Sequence, residues 1–261
     1  MENKIRKISI WRILTYFIIY SFLGFVVETT FALINYNVLE SRKSFLYGPF
    51  CGIYGLGAVV LILALRYFNK NNYTLFFGGC LVGSVVEYIM SFLGELLFDI
   101  RWWDYSKRFL NINGRICLLY ALFWGILSLF LIRIVNPQID KFIDFIKSKV
   151  STKTLKIIIS LASVFMLINI IISSIAMHLF LMRMIVQNDL DVVNKEEVKM
   201  KYNEIYGNSK RAKLIYKLWG DKKMIKTYPN ITLRLKDKSV VYIHDLLPEI
   251  KPYFYKFNEP N

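Results

Sequence analysis

Two glutamates, Glu28 and Glu87, stand inside long apolar stretches and in the same local pattern, Gly24-Phe25-Val26-Val27-Glu28 and Gly83-Ser84-Val85-Val86-Glu87. A carboxylate in hydrocarbon costs about 2.5–3.5 kcal/mol or more on insertion scales, so it faces the protein interior, takes up a proton or finds a partner. Two such groups at matching depth repel when they approach, and the pair can then share a proton or hold a cation. Three roles stay open for them: hydrogen bonds that fix helix packing, lining of a pathway or binding site, and acid–base catalysis by the pair. Glu95 lies further along the second stretch and joins them as a candidate. The loops that follow carry Arg42, Lys43, Lys107, Arg108 and Arg115, which either cap the glutamates, hold an anionic substrate or remain solvated charges. Tyr54, Tyr120 and Asp104 complete the candidate pathway set.

The glutamates belong to a larger recurrence. The first stretch continues with Lys43-Ser44-Phe45-Leu46 and Gly48-Pro49-Phe50-Cys51-Gly52-Ile53-Tyr54, the second with Lys107-Arg108-Phe109-Leu110 and Gly114-Arg115-Ile116-Cys117-Leu118-Leu119-Tyr120. The patterns G-x-V-V-E, K-x-F-L and G-x-x-C-x-x-Y thus recur in one order, which predicts an internal duplication of a two-helix unit, over about residues 10–66 and 73–133. Two helices return the chain to its starting side, so the copies are expected to run parallel.

The elements that must position these residues are membrane helices. The chain has 261 residues, is 55% hydrophobic and carries a net charge of +15, with a mean hydropathy of +0.39. Apolar runs of the ~20 residues a bilayer requires predict about five spanning helices near residues 10–34, 48–65, 73–98, 116–132 and 157–182. The fold class expected is an all-α membrane protein of the cell membrane, multi-pass, with residues 1–183 in the membrane domain and 184–261 as a small soluble α+β tail. Gly48-Pro49 should open the second helix, and Gly48/Gly52 and Gly79/Gly83 should each leave a smooth strip for a neighbouring backbone. Trp102, Trp103 and Tyr105 suit the head-group level. Asn169 and His178 are the strongly polar residues inside the fifth run, and His178 reads as a packing residue. Residues 133–156 read as a polar basic connection. In the tail, residues 195–219 look helical, and residues 231–235 and 240–243 look like a hairpin. Its apolar content is modest, so it should lean on the membrane domain.

Charge sets orientation. Lys4, Arg6, Lys7 and Arg12 precede the first run, which is too long and lacks the small-residue site of a cleaved signal peptide. With the N-terminus inside, twelve Lys and Arg lie in inside segments and six in outside loops, which favours that orientation. Five crossings would put the tail outside. The basic balance is explained by anionic lipid, the bilayer being the first partner, and nucleic acid is not required. Cys51, Cys80 and Cys117 have neither zinc nor disulfide spacing, so no metal is expected. No phosphate-loop, zinc-protease or nucleophile-elbow motif occurs; no cofactor and no catalytic residue are assigned, and the chain is not expected to be an enzyme.

Taken together, Tyr20-Ser21-Phe22-Leu23-Gly24 with Glu28, Gly48 to Gly55, Trp103-Asp104-Tyr105-Ser106 and Asn111 to Leu118 resemble the Putative ABC-transporter type IV (CmpB) family over about residues 10–135. Gly52 departs from that pattern, where proline is expected. The resemblance implies a permease-like bacterial membrane component that works with a separate ATP-binding subunit, for which residues 133–156 offer a docking surface. A homo-oligomer is compatible with it. The alternative is a non-enzymatic structural or regulatory membrane protein that binds a partner through its tail.

Overall fold

The computed structural model describes residues 8–98 and 103–257, so Lys4, Arg6, Lys7, Arg101 and Trp102 lie outside the described residues. Helix dominates, because in hydrocarbon every backbone N–H and C=O must be satisfied within its own segment. Among the described residues four helices are long and apolar enough to cross a membrane: Ile10–Tyr36, Asn72–Leu96, Leu118–Lys149 and Thr152–Gln187. The chain is therefore a helical membrane protein, with two small two-stranded sheets among the described residues. We label the helices α1 (Ile10–Tyr36), α2 (Gly52–Leu65), α3 (Asn72–Phe98), α4 (Leu118–Phe130), α5 (Asn136–Lys149) and α6 (Thr152–Gln187).

Three expectations change. The second apolar run forms a helix of only 14 residues, α2, about 21 Å long at 1.5 Å per residue and short of a ~30 Å hydrocarbon core. It begins at Gly52 because Gly48 sits at φ 74 and a proline disfavours helical geometry in the residue before it. The Gly48/Gly52 strip therefore does not form. Gly55 makes the close approach in its place, since a Cβ there would come within 2.6 Å of the Phe17 carbonyl oxygen.

The basic connection of residues 133–156 is also helical. After α4 the chain passes through one widened π turn, Leu131–Val135, straight into α5. Pro137 cannot donate to the carbonyl one turn back and its ring crowds that group; the widened turn falls where an α ladder would have to meet it. Finally, α6 exposes large apolar side chains from Ile157 to Ile175 and is buried from Ala176 to Ile185 apart from the half-buried Met177 and the exposed His178. The exposed stretch is about 28 Å long at 1.5 Å per residue, close to one hydrocarbon thickness. The last turns of α6 thus serve the tail, and His178 is exposed rather than packed.

The chain divides into two compact units. The first comprises Met1–Phe22, Gly52–Leu97 and Arg101–Met166. Here Gly79 and Gly83 admit Ser128 and Trp124 of α4, and Gly125 admits Phe76 and Cys80 of α3, which is the small-residue packing that brings membrane helices close.

The second unit comprises Leu23–Cys51, Phe98–Ile100 and Leu167–Asn261. Its core joins Ala176, Phe180, Met184 and Ile185 of α6 with Leu46, Met224, Ile225, Leu233 and Ile243. Around it stand α7 (Lys195–Tyr206), α8 (Ser209–Trp219) and α9 (Asp221–Thr227). Strands β2 (Thr232–Arg234) and β3 (Val240–Tyr242) form the expected antiparallel hairpin. A second pair was not foreseen: β1 (Val38–Leu39), after α1, pairs antiparallel with β4 (Tyr255–Lys256). The core of this unit therefore includes Leu46 and residues of α6 beside those of the tail.

Candidate functional site

Helix α3 carries Glu87, Ser91 and Glu95 one turn apart on one face, with Tyr88 and Phe92 beside them. The loop that follows folds back over this face and is tied to itself. Trp103 Nε1 donates to the Arg115 carbonyl oxygen at 2.9 Å, and the Tyr105 N–H donates to that of Gly114 at 2.7 Å. Asp104 accepts from the Ser106 N–H at 2.9 Å, while Asn111 donates to the carbonyls of Ser106 and Arg108. Gly114, at φ 65, makes the turn, and a Cβ there would meet Asp104 Oδ1 at 2.5 Å.

The loop delivers two side chains to the acids. Arg115 donates to Glu95 Oε2 at 2.6 Å and Ser91 Oγ at 3.1 Å. Its guanidinium lies 5.7 and 5.6 Å from the ring centroids of Tyr88 and Phe92, a geometry that suits a planar delocalised cation. Tyr105 donates its hydroxyl to Glu87 Oε1 at 3.1 Å, and Trp124 of α4 donates Nε1 to Glu87 Oε2 at 3.1 Å. Tyr105 is sandwiched between Trp103 and Tyr120, with ring centroids 6.5 and 4.5 Å away. Burial, then the Glu87 carboxylate, pushes the Tyr105 phenol well above its ordinary range, so it remains a donor.

The two acids of α3 are therefore unlike. Glu95 has a cation, whereas Glu87 is buried, is held by two neutral donors and, among the described residues, has no cationic partner. A carboxylate so placed can exchange its charge with a proton or a small cation.

Of the sequence candidates, Glu87, Glu95, Asp104, Arg115 and Tyr120 converge in this cluster. Glu28 is half-buried on α1 and belongs to the second unit. Tyr54 is exposed on α2. Arg42 pairs with Glu40 at 2.5 Å and lies 5.7 Å from the Tyr36 ring, so its cap is given to Glu40. Glu40, which the sequence places in a hydrated loop, is buried and also accepts from Asn230 at 3.1 Å. Among the described residues no group of three or more metal-ligating side chains converges.

Other polar residues escaped the sequence reading. Tyr105 and Trp124 hold Glu87, and their signal was that a donor must meet any buried carboxylate. In the first unit Arg12 donates to Asp140 at 2.6 Å and Asp144 at 3.2 Å, and Tyr20 donates to Asn136 at 3.1 Å. Asp140 and Asp144 stand one turn apart in a stretch read only for its lysines. In the second unit Arg183 is fully buried, donating to Asp221 at 2.9 Å, to Tyr206 at 3.3 Å and to the Trp219 carbonyl at 3.1 Å.

A comparison with known families finds that residues 15–174 match the family described as Putative ABC-transporter type IV. No curated protein and no solved structure matches the chain.

Proposed function

Because the chain belongs to the Putative ABC-transporter type IV family, we propose that it is a non-enzymatic, permease-like, multi-pass subunit of the cell membrane whose ATP-binding partner is a separate protein. The observation that carries this reading is Glu87: a carboxylate on an apolar helix, held among the described residues by two neutral donors and no cation, suits a pathway wall better than a packing contact. Support for the docking surface comes from α5. Its acids face Arg12, while Phe142 and Phe145 are exposed beside Lys141 and Lys149.

The reading includes the internal duplication. In each copy a buried cysteine, Cys51 or Cys117, immediately precedes a helix, and a positive-φ glycine, Gly48 or Gly114, precedes that cysteine by three residues. Phe17 and Ser21 of α1 face Gly55, just as Phe76 and Cys80 of α3 face Gly125.

Co-purification of the tagged full chain in mild detergent tests the proposal. An ATP-binding protein should accompany the wild type and be lost from Phe142→Asp/Phe145→Asp. Glu87→Gln should keep the partner but change the nucleotide hydrolysis of the complex, where Glu95→Gln, by breaking an ion pair, should lower the melting temperature instead. Recovery of a cell-envelope enzyme through the tail, with no ATP-binding protein, would establish the regulatory alternative.

A further inference from the structure

Two ammonium groups meet on one short stretch of the second unit. The Leu46 N–H donates to Ser173 Oγ at 2.7 Å and the Tyr47 N–H to Asn169 Oδ1 at 3.1 Å, which fixes these residues against α6. Lys43 turns back so that Nζ donates to the Leu46 carbonyl at 3.1 Å. Lys223, from α9, holds Nζ 4.9 Å from the Tyr47 ring centroid and donates to the Leu218 carbonyl at 2.9 Å.

Acids are present in the same unit but are engaged elsewhere: Glu40 by Arg42 and Asp221 by Arg183. Among the described residues neither lysine forms an ion pair, although an ammonium has three donors to place. The adjacent Leu46 and Tyr47 thus hold an ammonium each, and burial, then the charge of Lys223, lowers the pKa of Lys43. Asn169 and Ser173 lie in the last two turns of the lipid-exposed part of α6, which ends at Ile175. That is the level of phospholipid head groups, where an exposed tyrosine such as Tyr47 is also at home.

We propose that Lys43 and Lys223, held at the adjacent Leu46 and Tyr47, form a binding site for a phosphate group whose separate oxygens are shared by the two ammoniums. Lysine binds phosphate as a point charge, and a phosphate can bridge two such charges. The group is carried by a phospholipid head group or by a soluble phosphorylated solute. This site belongs to the second unit and Glu87 to the first, and it does not rest on the permease reading.

The test uses the full-length protein in nonionic detergent, probed by native mass spectrometry with phosphatidylglycerol and, separately, with glycerol phosphate. Wild-type protein should retain its ligand, Lys43→Gln and Lys223→Gln should each reduce retention about tenfold, and Lys217→Gln, an exposed change on α8, should leave it unchanged. In unmodified protein, the reactivity of Lys43 toward an amine reagent should fall severalfold when the ligand is added, a readout independent of whether a variant folds. Protection by phosphatidylglycerol alone identifies a lipid head group; protection by glycerol phosphate as well identifies a soluble ligand. Equal retention in all variants, or no protection by either probe, overturns the site.

Discussion

The loop after α1 and the loop after α3 carry the same short motifs and are held in opposite ways. Residues 37–51 are fastened to distant chain: β1 to β4, Leu46 into the tail core, and Tyr47 to Asn169. Residues 103–117 are fastened mainly to themselves and to the adjoining α3, through Trp103, Asp104, Asn111 and Arg115. The recurring residues thus fix a local path, a left-handed glycine and a buried cysteine before a helix, while neighbouring chain decides what the path serves. Lys43 and its counterpart Lys107 make the point, the first donating to the Leu46 carbonyl beside the tail core and the second exposed.

The sharpest way to break this contrast is accessibility, which is all-or-none. Cysteines placed singly at Ser44 and Ser239, in a background without the native cysteines, should react alike with a membrane-impermeant thiol reagent in intact cells, because both positions are exposed in one unit. With the N-terminus inside and the short α2 completing a fifth crossing, both should label, Ser106→Cys should label with them if the copies run parallel, and Ser148→Cys should be protected. Opposite behaviour of Ser44 and Ser239 would undo the second unit; a lone dissent at Ser106 would undo the duplication.

Next in size is Arg183→Met. Removing a buried cation from Asp221, Tyr206 and Trp219 should cost about 3–5 kcal/mol. Limited proteolysis should cut the tail faster, with labelling at Ser106→Cys unmoved. Asn169→Leu should cost about 1–3 kcal/mol by leaving the Tyr47 backbone without its partner, read as a lower melting temperature in detergent.

The smallest effects oppose one another. Gly114→Ala should destabilise by about 1–2 kcal/mol, since a left-handed backbone penalises any Cβ and this one meets Asp104. Gly57→Ala, helical and with nothing within 4 Å, should stabilise by about 0.5–1 kcal/mol. Thermal shifts of matched samples check both.

Much of this was legible because hydrocarbon imposes length and apolarity: the runs around Glu28, Glu87, Trp124 and Ile168 announce helices wherever they fall. The hairpin at β2 and β3 was visible as two β-rich clusters about a polar turn. Glu95, Arg115 and Tyr120 were found through their acids and their spacing. What stayed hidden depends on distance along the chain. Nothing near Glu40 signals Asn230, nothing near Val38 signals Lys256, and Arg183 looks like the end of an apolar run until Asp221 is brought to it. The start of α2 was misplaced for a local reason, Gly48 taking the conformation that Pro49 leaves to it.

The π turn before Pro137 has a consequence for how relatives of this chain line up. An extra residue in a helical turn rotates everything beyond it by roughly 100°, given 3.6 residues per turn. The face of α4 that offers Gly125 and Ser128 to α3, and the face of α5 that offers Asp140 to Arg12, keep their bearings only with that residue counted in. A one-residue gap between positions 131 and 135 in a related sequence therefore records a swivel of α5, and its owner should carry the partner of Arg12 one position away from Asp140.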